Sequence, residues 1–148
     1  VTGQSYVPGG VFVAKRSIGA LPLVLNLGGT PFPLPIHGAI LTMDISGTGS
    51  SVSGTNGTIA GLIDTEEVIA EMKKIAGAMD PSLCNSGTFD SIAMQIRQAS
   101  DIMSDGTNGN PGVTCNAISI GIGFDSAAVV LGGVAPPQPP QPDPCAGG

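Results

Sequence analysis

The spacing of apolar positions changes from about two to about three and a half near Asp64, and back again near Asn116. Before Asp64 the text is strand-like. Tyr6-Val7 predicts a short edge strand, and Pro8-Gly9-Gly10 a turn. GVFVAK, residues 10–15, alternates Val11 and Val13 with Phe12 and Ala14. ALPLVLNL, residues 20–27, is apolar on both faces, which predicts a strand buried on both sides, with Pro22 at its start or at an edge. PFPLPI, residues 31–36, has Pro at every second position, which favours extended backbone and removes ladder donors there. AILTMDIS, residues 39–46, predicts a strand with Ala39, Leu41, Met43 and Ile45 on one face and Ile40, Thr42 and Asp44 on the other. Asn56-Gly57 predicts a tight hairpin turn between residues 51–53 and 58–63.

The longer period spans Asp64 to Gly106 and predicts two helices joined by a loop that carries Cys84. Asp64 is the expected N-cap of the first, with Glu67 completing a capping-box-like pair and Glu66 suiting the helix dipole. Val68, Met72, Ile75 and Met79 form its apolar stripe, and Asp80-Pro81 ends it. The second helix is expected to start with Thr88 as N-cap and to end at Gly106. Phe89, Ile92, Ala93, Ile96, Ala99 and Met103 lie on its apolar face. AISIGIGF, residues 117–124, returns to strict alternation, with Ile118, Ile120, Ile122 and Phe124 inward. A last strand is expected over residues 126–134, hairpinned through Asp125-Ser126. APPQPPQPDPCAGG, residues 135–148, reads as an extended polyproline-type tail.

These elements predict one mostly β, α+β domain over residues 1–134. The expected architecture is a β-sandwich or flattened barrel, with a two-helix hairpin inserted at about residues 64–105 that covers one end or face. At 148 residues one domain is the natural expectation, and a chain of that length can bury enough surface to fold without a cofactor.

Composition sharpens this picture. Charged residues are 11% against roughly 25% in an average soluble domain, so the surface must be largely Ser, Thr, Asn, Gln and Gly. Such a surface suits an exported protein, and it also suits packing against another chain. Eight of the eleven acids lie between Asp64 and Asp105, whereas residues 1–63 carry only Lys15, Arg16 and Asp44. A weakly charged β region lacks the charges that discourage edge-to-edge pairing. The net charge of −6 and five scattered basic residues argue against nucleic acid and anionic lipid. The longest apolar run, around residues 18–27, is too short to span a bilayer and is broken by Pro22. The chain begins Val-Thr-Gly, as a mature or trimmed product would, so any membrane attachment would come from a segment outside it.

The three cysteines, Cys84, Cys115 and Cys145, show no CxxC spacing and have no neighbouring His, which disfavours zinc. A Cys84–Cys115 disulfide closing a loop around the second helix is the expectation. Cys145 is then left to pair with another chain, to pair with a segment outside this sequence, or to stay free. Three reduced cysteines in a cytosolic protein is the competing reading.

Candidate chemistry is thin. His37 is the only histidine and reads as structural, and Gly49-Ser50-Ser51-Val52-Ser53 ends in Ser where a nucleophile elbow needs Gly. Asp101, Asp105, Asn108 and Asn110 have the composition of a calcium loop. Met103 stands where such a loop needs an oxygen ligand and Gly112 where it needs Glu, so turn and cap chemistry explains them better. No metal or cofactor is expected. The helical acids Glu66, Glu67, Glu71 and Asp90 read as a solvated face rather than a hydrolase pair. The absence of Trp lowers the case for sugar binding.

From GTIAGLIDTEEVIAEMKKIAG through DPSLCNSGTFDSIAMQIRQASDIMSDG to CNAISIGIGFDSAAVVLG, residues 57–132, the chain resembles the C-terminal part of exported proteins and lipoproteins of social and predatory soil bacteria. The resemblance implies a periplasmic, outer-membrane-surface or extracellular setting and carries no activity. Low charge, a leftover Cys145, the Pro-rich tail and the lack of a catalytic constellation make the expected function a non-enzymatic exported structural or interaction domain, a candidate subunit of an extracellular or cell-surface assembly, with a protein partner or self-association. A small-molecule or lipid-binding module is the alternative, and a hydrolase the third.

Overall fold

The computed structural model describes residues 3–16, 19–27, 30–108, 110–130, 132–134 and 143–146. It is mostly β and α+β, with an open antiparallel sheet in a flattened, sandwich-like arrangement rather than a closed barrel. The strands are β1 (Gly3–Tyr6), β2 (Val11–Arg16), β3 (Leu21–Leu27), β4 (Thr30–Ser46), β5 (Ser53–Asp64) and β6 (Ala117–Ala127). Helices α1 (Thr65–Met79) and α2 (Gly87–Gln98) lie between β5 and β6 in sequence, joined through a 3-10 turn over Pro81–Asn85. The sheet order is β1-β2-β4-β5-β6, with β3 paired only to β4.

The long strand β4 is used twice. Its first part pairs with β3, from Leu27↔Thr30 to Leu21↔Ile36. It then passes Gly38, whose φ of 59° is open to glycine at no steric cost. The rest pairs with β2 on one side and β5 on the other. In the first part Phe32, Leu34 and Ile36 are buried, while Pro31 and Pro33 are exposed. Alternation thus survives the prolines, because a residue without N–H is tolerated where its nitrogen faces away from the partner strand.

One buried cluster joins Phe32, Leu34 and Ile63, with Leu23, Val68, Met72, Ile75 and Ile120 packed against it. A second joins Ile69 of α1 to Phe89 and Ala93 of α2. Asp64 caps helix α1 as expected, its Oδ1 accepting the N–H groups of Glu66 and Glu67, but the capping-box half expected of Glu67 is replaced by a bond to His37. Its stripe holds for Val68, Met72 and Ile75, but Met79 is exposed. The stripe ends earlier because the last turn gives way to the 3-10 segment.

Glycines on β5 take the sheet's bulky side chains. A Cβ on Gly61 would lie 2.5 Å from Ile36 Cγ2 and 2.8 Å from the His37 carbonyl oxygen. One on Gly57 would lie 2.7 Å from the Phe124 ring, and one on Gly54 would lie 2.6 Å from Met43 Sδ. Helix α1 repeats the device at Gly77, where a Cβ would lie 2.5 Å from Cys145 Sγ and 2.6 Å from Cys84 Sγ.

That contact belongs to a Cys84–Cys145 disulfide, and Cys115 is free and half-buried. The expected Cys84–Cys115 bond is therefore corrected. Cys84 sits at the Gly77 end of α1, whereas Cys115 adjoins Asn116, whose carbonyl accepts the N–H of Thr65 at the other end. Twelve residues of helix separate those ends by roughly 18 Å, and a disulfide needs Cα atoms within about 7 Å. Cys145 is thus neither intermolecular nor unpaired. It fixes residues 143–146 of the Pro-rich tail, while 135–142 and 147–148 lie outside the described residues.

Four further expectations change. Asn56-Gly57 is not a hairpin turn but a bulge inside continuous β5, with Asn56 at φ 52°. Its N–H donates to Asp125 Oδ1 and its Nδ2 to Asp44 Oδ2, so the bulge links β4, β5 and β6. No strand covers residues 128–130 or 132–134, and Val129, Val130 and Val134 are exposed. β3 is not buried on both sides, since Val24 and Leu25 are exposed. Ser86, not Thr88, caps α2, which ends at Gln98 rather than near Gly106. Ala99 is its C-cap, and the chain then turns alongside β6.

Two stability measurements check this packing. Gly61→Ala should cost about 1–3 kcal/mol by overpacking against Ile36. Gly121→Ala, which meets open space, should stay within about 0.5 kcal/mol of the parent in urea unfolding. Cys145→Ser opens a 61-residue separation and should cost about 4 kcal/mol in the chain-entropy model. Cys115→Ser should cost clearly less, and equal losses from the two cysteine variants would contradict the pairing.

Candidate interaction surface

Antiparallel partners share a face, so the registers divide the sheet into two surfaces. Phe12, Leu41, Met43, Ile59, Ile122 and Phe124 lie on the same face as Ile63. Helix α1 packs on β4 and β5 at the Ile63 end only. The six residues away from that end are half-buried and belong to neither buried cluster. Among the described residues this is an apolar sheet surface without a covering layer.

The opposite face carries Lys15, Ile40, Ala60, Leu62 and Ser119. With the segment from Ile102 to Gly106 these line a groove of about 620 Å³. At one end His37 Nε2 meets Glu67 Oε2 at 2.7 Å, with Asp64 and Ser104 beside them. Sequence reasoning read His37 as structural, and the 30-residue separation from Glu67 gave no signal of this pair.

The sheet has unequal edges. β1 is four residues long. Pro22, Pro31, Pro33 and Pro35 remove N–H donors from the β3–β4 arm. β6 runs for eleven residues with no Pro or Lys, and Asp125 is its single charge. Among the described residues its outer side is occupied only at the start. The N–H of Ala117 donates to the Ile102 carbonyl, and the N–H of Ser119 to Asp101 Oδ1 at 2.8 Å. Because outward amides alternate, those of Gly121, Gly123 and Asp125 point the same way. Ala128, of the other parity, donates inward to Val52, in keeping with this phase.

The calcium-like residues are engaged separately. Asp101 accepts the hydroxyl and N–H of Ser119, Asp105 those of Thr107, and Asn110 the N–H of Gly112. Asn108 is exposed on the loop that follows. Among the described residues no three His, Cys, Asp or Glu side chains are grouped so as to hold a metal ion. The Ser119 hydroxyl and then its N–H hold Asp101 below its ordinary carboxylate value, and the Thr107 groups do the same for Asp105. The Arg97 guanidinium, on Glu66 at 2.6 and 2.8 Å, lowers Glu66 and ties α2 to α1.

No helix among the described residues is long and apolar enough to cross a membrane. Comparison with protein-family models, with curated proteins and with solved structures finds no match to this chain.

Asp101 joins the end of α2 to the β6 edge, and its depressed pKa fixes the sign of a pH effect. A carboxylate held down in the folded state stabilises above its ordinary value of 3.8, and that contribution is lost as pH falls through the folded value. Asp101→Asn should therefore be less stable than the parent at pH ~7, with a gap that narrows below pH ~4. Urea unfolding at both pH values measures it, and a gap independent of pH would contradict the role.

Proposed function

We propose that this chain is a non-enzymatic interaction domain of an exported protein, acting as a subunit of an extracellular or cell-surface assembly. The observation that carries the reading is the β6 edge, long, proline-free and almost uncharged, bordering an apolar face that no described element covers. Such an edge presents unpaired N–H and C=O groups to another chain, and soluble proteins blunt edges that are not used. The low charge of the β region supports it, since few like charges oppose close approach. The Cys84–Cys145 bond supports an oxidising compartment outside the cytosol. The resemblance over residues 57–132 to exported proteins and lipoproteins of soil bacteria points the same way.

The groove on the opposite face favours a second reading, a small-molecule binding module. It has the size of a ligand site, with apolar walls from Ile40, Leu62 and Ile102 and polar groups from Lys15 and His37 at its margin. A hydrolase would need a nucleophile held by His37, and among the described residues no hydroxyl or thiol hydrogen-bonds its ring.

Sedimentation velocity over a wide concentration range tests the assembly reading. The expected result is a mass above the 14.6 kDa of one chain that rises with concentration. A strict monomer at high concentration would overturn it.

A further inference from the structure

Resting on that reading, we propose that the partner of the β6 edge is β6 of a second copy, paired antiparallel about a twofold axis through Gly123. The open part of the edge is bounded at one end by Asp101. Asp101 occupies the N–H of Ser119, so an added strand finds free outward groups from Gly121 onward, at Gly121, Gly123, Asp125 and Ala127. A twofold pairing is self-complementary only if the same surface meets itself. Centred on Gly123, it opposes Gly123 to its own copy and Gly121 to the copy's Asp125. Each of these opposed pairs exchanges both N–H···O bonds; beyond them the Ala127 N–H reaches the copy's Ser119 carbonyl, and only the Ala127 carbonyl at the end of the strand is left to solvent.

The side chains favour this register over its neighbours. Centring on Asp125 would oppose two carboxylates, whose repulsion opposes pairing. Centring on Gly121 would set the copy's Gly123 and Asp125 against Ser119 and Ala117, whose outward N–H groups Asp101 and Ile102 already hold, whereas centring on Gly123 loses only one bond of the Ala127–Ser119 pair at the strand's end. Centred on Gly123, each Asp125 meets a glycine, and a Cβ at Gly121 would have nothing within 4 Å, so that side has room. On the apolar face Ile122 lies opposite the copy's Phe124, an aliphatic–aromatic cross-strand pair. The half-buried surface of Phe12, Leu41, Ile59 and Ile122 then continues across the axis, forming one apolar face from two sheets. The other occupant of such an edge, a strand from a different protein, would leave this chain monomeric alone.

Cysteine scanning along the edge, in a Cys115→Ser background, tests both partner and register. At Gly123 two opposed Cα atoms would lie about 5.5 Å apart, within disulfide reach. At Gly121 they would lie four residues apart along the strand, roughly 13 Å. Gly123→Cys should oxidise to a covalent dimer, and Gly121→Cys should stay largely uncrosslinked. Gly123→Pro, which removes an outward N–H that the fold itself does not use, should retain the parent circular dichroism. It should weaken self-association roughly 100-fold, through two lost bonds and a ring in the pairing plane. If Gly121→Cys crosslinks and Gly123→Cys does not, the register is overturned. If the parent associates but neither Gly123 variant alters it, β6 is not the interface and the assembly reading stands on another surface. A monomeric parent overturns both.

Discussion

Strand β5 can lie inside this sheet, between β4 and β6, because three of its positions have no side chain. Gly54, Gly57 and Gly61 face Met43, Phe124 and Ile36 at distances that a methyl group could not share. An interior glycine normally weakens a strand, through backbone entropy and lost packing. Here the cost is offset because large neighbours lean across the vacant positions and cover the strand, the device by which aromatic side chains rescue glycines in designed sheets. Ile36 becomes fully buried this way, although it sits at the bend where β4 leaves its arm and enters the sheet. The bulge at Asn56 belongs to the same region, and its two hydrogen bonds fix β5 to both neighbours where the register shifts.

The helical layer depends on the same principle. Gly77 gives the Cys84–Cys145 disulfide a seat on α1, so the end of the chain is tied to the far end of the helical hairpin. The near end is held by polar contacts. Thr65 and Ser100 share a hydrogen bond at 2.7 Å, Arg97 bridges to Glu66, and Asp101 reaches β6. Helix α1 meets the sheet chiefly at Ile63 and Ile120, so the helices cover one end and leave the remaining apolar face half-exposed.

Local periodicity was the most legible property of the sequence. The alternation in β2, β4 and β6 and the Asp64 cap are all as expected from residues alone, because each depends on neighbours within a few positions. What could not be read depended on distant partners. Asn56-Gly57 has the chemistry of a tight turn, yet Asp44 and Asp125 stabilise the same left-handed residue inside a strand. A loop closed around the second helix was the expectation for Cys84 and Cys115, and the length of α1 keeps the two apart. The apolar text of β3 suggested burial on both faces, but a short arm with one packed side suffices for it. The capped end of α2 shifted because Asp101 and Ile102 were drawn to β6 instead of extending the helix. Of the candidate site, low charge on the β surface was visible, whereas the inequality of the sheet's edges required the strand order.

That inequality is what makes an open sheet a reading about function. β1 is short and the prolines strip donors from the β4 arm, whereas among the described residues β6 keeps the longest run of edge backbone groups beside an apolar face. Amide hydrogen exchange along β6, followed by NMR as a function of protein concentration, measures this most directly. The Ser119 amide, held by Asp101, should be protected at every concentration, and the Gly121 and Gly123 amides should exchange fast when dilute and become protected as concentration rises. Gly121 and Gly123 amides that exchange at one rate across all concentrations would contradict an edge built for pairing.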